Sequence, residues 1–107
     1  MGHAGEFEVL LMLAVMRLGD DAYGVTIREE LENETSRTLT LGTVYKTLGR
    51  LEDKGHLRSR VSKPVAERGG RRKKLYELTS AGLAAMQRSL ADLRSLTRGL
   101  NLEVGKP

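Results

Sequence analysis

Cationic side chains are the residues of this sequence grouped closely enough to do chemistry, and the chemistry they offer is the binding of a polyanion. From Arg58 to Lys74 the chain carries Arg58, Arg60, Lys63, Arg68, Arg71, Arg72, Lys73 and Lys74 against one acid, Glu67. Such a run is an electrostatic footprint for phosphates, because each cation that neutralises a phosphate releases a condensed counterion. A charge run is also the ordinary composition of a solvated loop, so its neighbour decides the matter. Just upstream, Thr43, Lys46, Thr47, Arg50 and Lys54 recur at helical spacing and share one face, opposite Val44, Leu48 and Leu51. Helix surfaces usually mix signs, yet this face has no carboxylate, with Glu52 and Asp53 falling off it. Arg50 has the geometry to pair bidentately with guanine, Lys46 reaches a base edge or a phosphate, and the threonines suit phosphates or thymine methyls. Tyr45, beside the face, either donates to a phosphate or packs under the strand that follows.

Other chemistries lack their residues. There is no cysteine, which removes disulfides, zinc thiolates and thiol redox sensing together. His3 and His56 are far apart, with no carboxylate at ligand spacing, so no metal site is expected. Gly69-Gly70 lacks the spacing of a phosphate-cradling loop, and no nucleophile, histidine and acid form a recognisable set. The expectation is a protein that is not an enzyme and carries no cofactor. RNA is disfavoured by the lack of an aromatic stacking platform.

The elements that must position the cations follow from periodicity. The chain has 107 residues, room for one domain, and a net charge of +4 with a pI near 9.7. A first helix over Glu6 to Leu18 is apolar almost all round, interrupted by Glu8, and so needs burial on more than one side. A domain of this size has little material to surround it, which assigns part of that helix to a second subunit. Asp21 caps a second helix on Tyr23, Ile27 and Leu31, running to about Glu34. Thr40 caps a third on Leu41, Val44, Leu48 and Leu51, ended by Gly55. Alternation at Leu57, Ser59 and Val61, and again over Lys73 to Thr79, predicts two strands joined by a loop with Pro64, Gly69 and Gly70. Thr79 or Ser80 caps a last helix whose Leu83, Met86, Leu90, Leu93, Thr97 and Leu100 make a short heptad seam fraying after about Arg98. The predicted fold is mainly α with a small β-hairpin, a winged helix-turn-helix of order α-α-α-β-β-α. Residues 1–79 form the DNA-binding part, 80–100 a C-terminal dimerisation helix packed on the same domain, and 101–107 a disordered tail. The apolar run Val9 to Met16 is too short to span a membrane and lacks a leader's basic flank, so no targeting segment and a cytoplasmic location are expected.

Read in order, several stretches resemble the PadR-like transcriptional regulators. They are Gly5-Glu6-Phe7-Glu8, Asp21-Ala22-Tyr23-Gly24-Val25, Leu41-Gly42-Thr43-Val44-Tyr45, Leu48-Gly49-Arg50-Leu51-Glu52-Asp53-Lys54-Gly55, and Gly69 through Thr79. The resemblance covers roughly residues 5 to 90. It implies a homodimer joined through the first and last helices, binding double-stranded DNA with the third helix in the major groove and the wing on the backbone. Carried over position by position, it places DNA contacts at Thr43, Tyr45, Lys46, Thr47, Arg50, Arg71, Arg72 and Lys73. The corresponding dimer interface is Phe7, Leu10, Leu11, Met86, Leu90 and Leu93. The expected function is transcriptional regulation, as a repressor, with any small-molecule effector unknown. The competing reading is a winged-helix protein-interaction module without sequence-specific DNA binding, which would not need an acid-free third-helix face.

Overall fold

The computed structural model describes residues 4–62 and 72–102. The chain forms α1 (Glu6–Leu18), a 3-10 turn (Gly19–Asp21), α2 (Gly24–Glu34), α3 (Leu41–Asp53), β1 (Leu57–Val61), β2 (Lys74–Leu78) and α4 (Ser80–Thr97). This is the winged helix-turn-helix order that the periodicity predicts. Its boundaries have local causes. The Thr40 hydroxyl accepts the Thr43 amide at 3.1 Å and starts α3, and Gly55, at φ +79°, takes the left-handed conformation that ends it. Thr79 starts α4 in the same way, accepting the Gly82 amide at 3.0 Å.

The start of α2 differs from the expectation. Its N-cap is Tyr23, and Thr26 reaches back, accepting the Tyr23 amide at 3.0 Å and donating to the Asp21 carbonyl. The 3-10 turn leaves Asp21 two residues before the cap, so it serves through its backbone and not its carboxylate.

β1 and β2 pair antiparallel, from Leu57 opposite Leu78 to Val61 opposite Lys74. The Tyr76 amide also donates to the Ala22 carbonyl at 2.9 Å, tying the hairpin to the entrance of α2. Beneath these elements the core gathers Leu11 and Met12 of α1, Ile27 and Leu31 of α2, Val44, Leu48 and Leu51 of α3, Leu57, Tyr76 and Met86. Burying one such leucine is worth roughly 1.5–3 kcal/mol, so α3 is fixed chiefly by the three it shares with this core. Gly82 is required here: a Cβ at that position would overlap the His56 carbonyl, so α4 begins in direct contact with the turn that follows α3.

Two expected interface residues, Leu11 and Met86, are corrected by this packing. Both are enclosed within a single chain, because α2, β2 and α4 pack around α1. Phe7, Leu10 and Leu90 are half-buried, while Leu93 keeps 59% of its surface exposed. The heptad seam divides accordingly. Met86 faces the core, Leu93 and Leu100 are bare, and Leu100 lies past the helix end, where Gly99 at φ +82° turns the chain. From Ala91 onward every described residue is exposed, and the long dimension of the protein is 55 Å. No helix among the described residues is long and apolar enough to cross a membrane.

Candidate nucleic-acid interface

α3 presents Thr43, Lys46 and Arg50 to solvent, with Val44, Leu48 and Leu51 anchoring the opposite side. Neither Lys46 nor Arg50 makes an ion pair among the described residues. Thr43 accepts a hydrogen bond from the Thr40 hydroxyl at 3.1 Å, which leaves its own O–H to donate outward. Thr47 is a correction: it is only 4% exposed, and its hydroxyl donates to the Thr43 carbonyl one turn back at 3.0 Å. It flanks the core stripe, and a helix lets a threonine satisfy itself on the backbone in this way.

Lys54 also leaves the face to which its spacing assigns it. Its ammonium lies 2.9 Å and 3.1 Å from the two oxygens of Glu8, the acid that interrupts the apolar surface of α1. Burial alone would push the Glu8 carboxyl up. The hydrogen bonds from Lys54 and from the Gly5 amide, with the charges of Lys54 and Arg50, outweigh it and hold that carboxyl below its ordinary value. The pair pins the C-terminal end of α3 to α1. The signal for it in the sequence is a lone acid inside an apolar stripe, but the partner is 46 positions away.

The root of the wing is fixed by a second set of contacts. Glu52 accepts from the Ser59 hydroxyl at 2.5 Å and stands 3.5 Å from the Lys74 ammonium, joining α3 to both strands. Arg58 pairs with Glu77 directly across the hairpin at 2.5 Å. The Lys73 ammonium sits 4.3 Å from the centre of the Tyr23 ring, a cation–π contact that sequence reasoning missed. Tyr45 is 48% exposed and lies over Gly24, where a Cβ would overlap its ring. Of the two roles open to it, packing is seen against the start of α2, where the hydroxyl end of its ring lies over Gly24. Together Tyr23, Gly24, Tyr45, Arg72, Lys73 and Lys74 line a cleft of about 250 Å³ between α3 and the wing root. The structure thus brings Tyr45, Arg72 and Lys73 together beside the α3 face; Arg71 lies outside the described residues.

On another side of the molecule, α1 and α4 enclose an apolar groove of about 520 Å³ lined by Val9, Leu10, Leu13, Leu90, Leu93 and Leu96 among others. Leu96 is 78% exposed. His56 is buried; its amide donates to the Leu51 carbonyl and its carbonyl accepts from Thr79, so it closes the turn between α3 and β1. No group of three His, Cys, Asp or Glu side chains that can hold a metal stands among the described residues.

Three helices, a two-stranded hairpin and a last helix, with cations on the outer face of α3 that make no ion pair among the described residues, define a winged-helix protein. The family model of the transcriptional regulator PadR-like family matches residues 12–88. No curated protein matches the chain. Solved structures do. A PadR family transcription regulator from Clostridium difficile R20291 is 25% identical, with a TM-score of 0.70 over 86% of this chain and 92% of that one. A PadR-like transcription factor from Bacteroides fragilis is 24% identical, with a TM-score of 0.74 over 89% of this chain and 86% of that one. Bacillus subtilis PadR, solved in complex with operator DNA, shares the fold at 19% identity and a TM-score of 0.63, over 95% of this chain and 54% of that one. The chain belongs to the PadR-like family of transcriptional regulators.

Proposed function

We propose that this protein is a homodimeric DNA-binding repressor acting in the cytoplasm, with α3 in the major groove and the wing along the backbone. The observation that carries the reading is the sorting of its cations. Lys54, Arg58 and Lys74 are held by Glu8, Glu77 and Glu52, whereas Lys46, Arg50 and Arg72 have no ion-pair partner among the described residues. Unpaired cations beside one another repel, and a polyanion relieves that repulsion. On this reading Arg50 reads a base, Lys46 reads a base or holds a phosphate, and Thr43 and Tyr45 donate to the backbone. Arg72 and Lys73, with Arg71, follow the phosphates from the wing. Thr47 supports the helix from within. Repression follows from occupancy, since a dimer seated on its site excludes other proteins from that DNA.

The second copy is proposed to occupy the α1–α4 groove, with Phe7, Leu10, Leu90 and Leu93 at the contact and Leu11 and Met86 behind it. A bare apolar stripe next to an open groove suits a symmetric partner, which also matches the two-fold arrangement of paired half-sites about one DNA turn apart. The test is titration of a labelled random-sequence duplex at about 50 mM and 200 mM salt, with sedimentation of the free protein. The reading predicts a dimer at micromolar concentration and an affinity that falls by orders of magnitude between the two salts. No duplex binding even at the lower salt would favour the protein-interaction reading.

A further inference from the structure

Four glycines stand within or at the start of the helices that carry the proposed interface and its support; Gly42, in the first turn of α3, is only in ordinary contact with Thr40, and of the other three the fold explains two. At Gly24 a Cβ would overlap the Tyr45 ring, and at Gly82 it would overlap the His56 carbonyl. Gly49 is different. It lies inside α3, in ordinary helical conformation, and a Cβ there would meet nothing within 4 Å. Glycine is among the least favourable residues in a helix interior, because it gives up the most backbone freedom on folding. Nothing among the described residues requires that cost at this position. An alanine would fit and would strengthen the helix.

The position of Gly49 supplies a reason from outside the chain. It follows Lys46 by three residues and precedes Arg50 directly, on the side of α3 turned away from Val44, Leu48 and Leu51. A glycine there removes the side chain that would hold the helix axis away from whatever Lys46 and Arg50 bind. Close approach of backbone to a ligand is one of the few uses that justify glycine in a regular element. We infer that the α3 backbone at Gly49 makes direct contact with the DNA, and that its missing side chain sets the depth at which the helix seats, and so the reach of Lys46 and Arg50. This rests on the proposed DNA-binding reading and adds to it a depth-setting position that carries no functional group.

The experiment compares wild type with Gly49→Ala and Gly49→Leu, measuring thermal unfolding and duplex affinity at one fixed low salt. Both variants are expected to unfold a few degrees higher than wild type, as helix propensity dictates. Duplex affinity is expected to fall about tenfold for Gly49→Ala and further for Gly49→Leu, in order of side-chain size. Wild-type affinity retained in both variants would overturn the inference while leaving the DNA-binding reading intact. A lower unfolding temperature in Gly49→Ala would overturn it as well, by showing that the fold itself needs the glycine. Absence of duplex binding by wild type would instead remove the underlying reading, and the inference with it.

Discussion

The outer face of α3 and the groove between α1 and α4 are both exposed, and they differ in what they leave unsatisfied. On α3 Val44, Leu48 and Leu51 are fully committed to the core, and the unspent groups are charges at Lys46 and Arg50. Along α1 and α4 the charges are sparse, and the unspent groups are apolar, at Leu10, Leu13, Leu93 and Leu96. The first surface is stable in water and gains from an anion; the second is costly in water and gains from another apolar surface. A single small domain therefore carries two exposed surfaces of opposite chemistry, one proposed to meet DNA and the other a second copy of the chain.

The largest expected effect comes from inverting the first surface. Lys46→Glu combined with Arg50→Glu should weaken duplex binding by about a hundredfold or more while leaving sedimentation unchanged, because the substitutions add repulsion where phosphates approach. Loss of the dimer in that variant would merge the two surfaces into one and break the comparison. Next, Leu93→Asp should raise the dimer dissociation constant about tenfold or more by placing a charge in the apolar contact. An unchanged sedimentation profile at low micromolar protein would show that the groove is closed by something else.

A smaller effect is expected at Lys54, which separates a paired cation from the unpaired ones. Lys54→Met leaves Glu8 buried with only the Gly5 amide, and should cost about 1–3 kcal/mol of folding stability. The sign of its pH dependence is fixed by Glu8, whose carboxyl is held below its ordinary value in the folded protein. The stabilisation from that group is complete above the ordinary glutamate range near 4.5 and is lost as pH falls through the folded value. The stability gap between wild type and Lys54→Met should therefore narrow between pH 6 and pH 3; a constant gap would mean that the pair contributes nothing to folding. Smallest of all, Thr47→Val should change duplex affinity less than about twofold, since the hydroxyl is spent on the Thr43 carbonyl.

These five positions also mark what the sequence can and cannot convey. The framework of α3 is legible because its determinants are local: Thr40 at the cap, a three-four-three apolar spacing, and Gly55 in the left-handed region. The hairpin is legible from the change to period two at Leu57. Partnership between distant residues is not. Lys46 and Lys54 look alike on a helical projection, and only the approach of α1 gives one of them a carboxylate. Leu11 and Leu93 look alike as apolar positions, and only the packing of α2, β2 and α4 around α1 hides the first. Thr47 lies at the border between face and core, where one turn of back-bonding decides its role.

The sorting of cations is most directly tested by the salt dependence of duplex affinity in single Met variants. Each phosphate contact contributes roughly 0.9 to the slope of log affinity against log salt. Lys46→Met, Arg50→Met and Arg72→Met should each lower the slope by about one per chain, whereas Lys54→Met should leave it unchanged. Equal slopes for all four variants and wild type would contradict the assignment of α3 and the wing root as the DNA-facing surface.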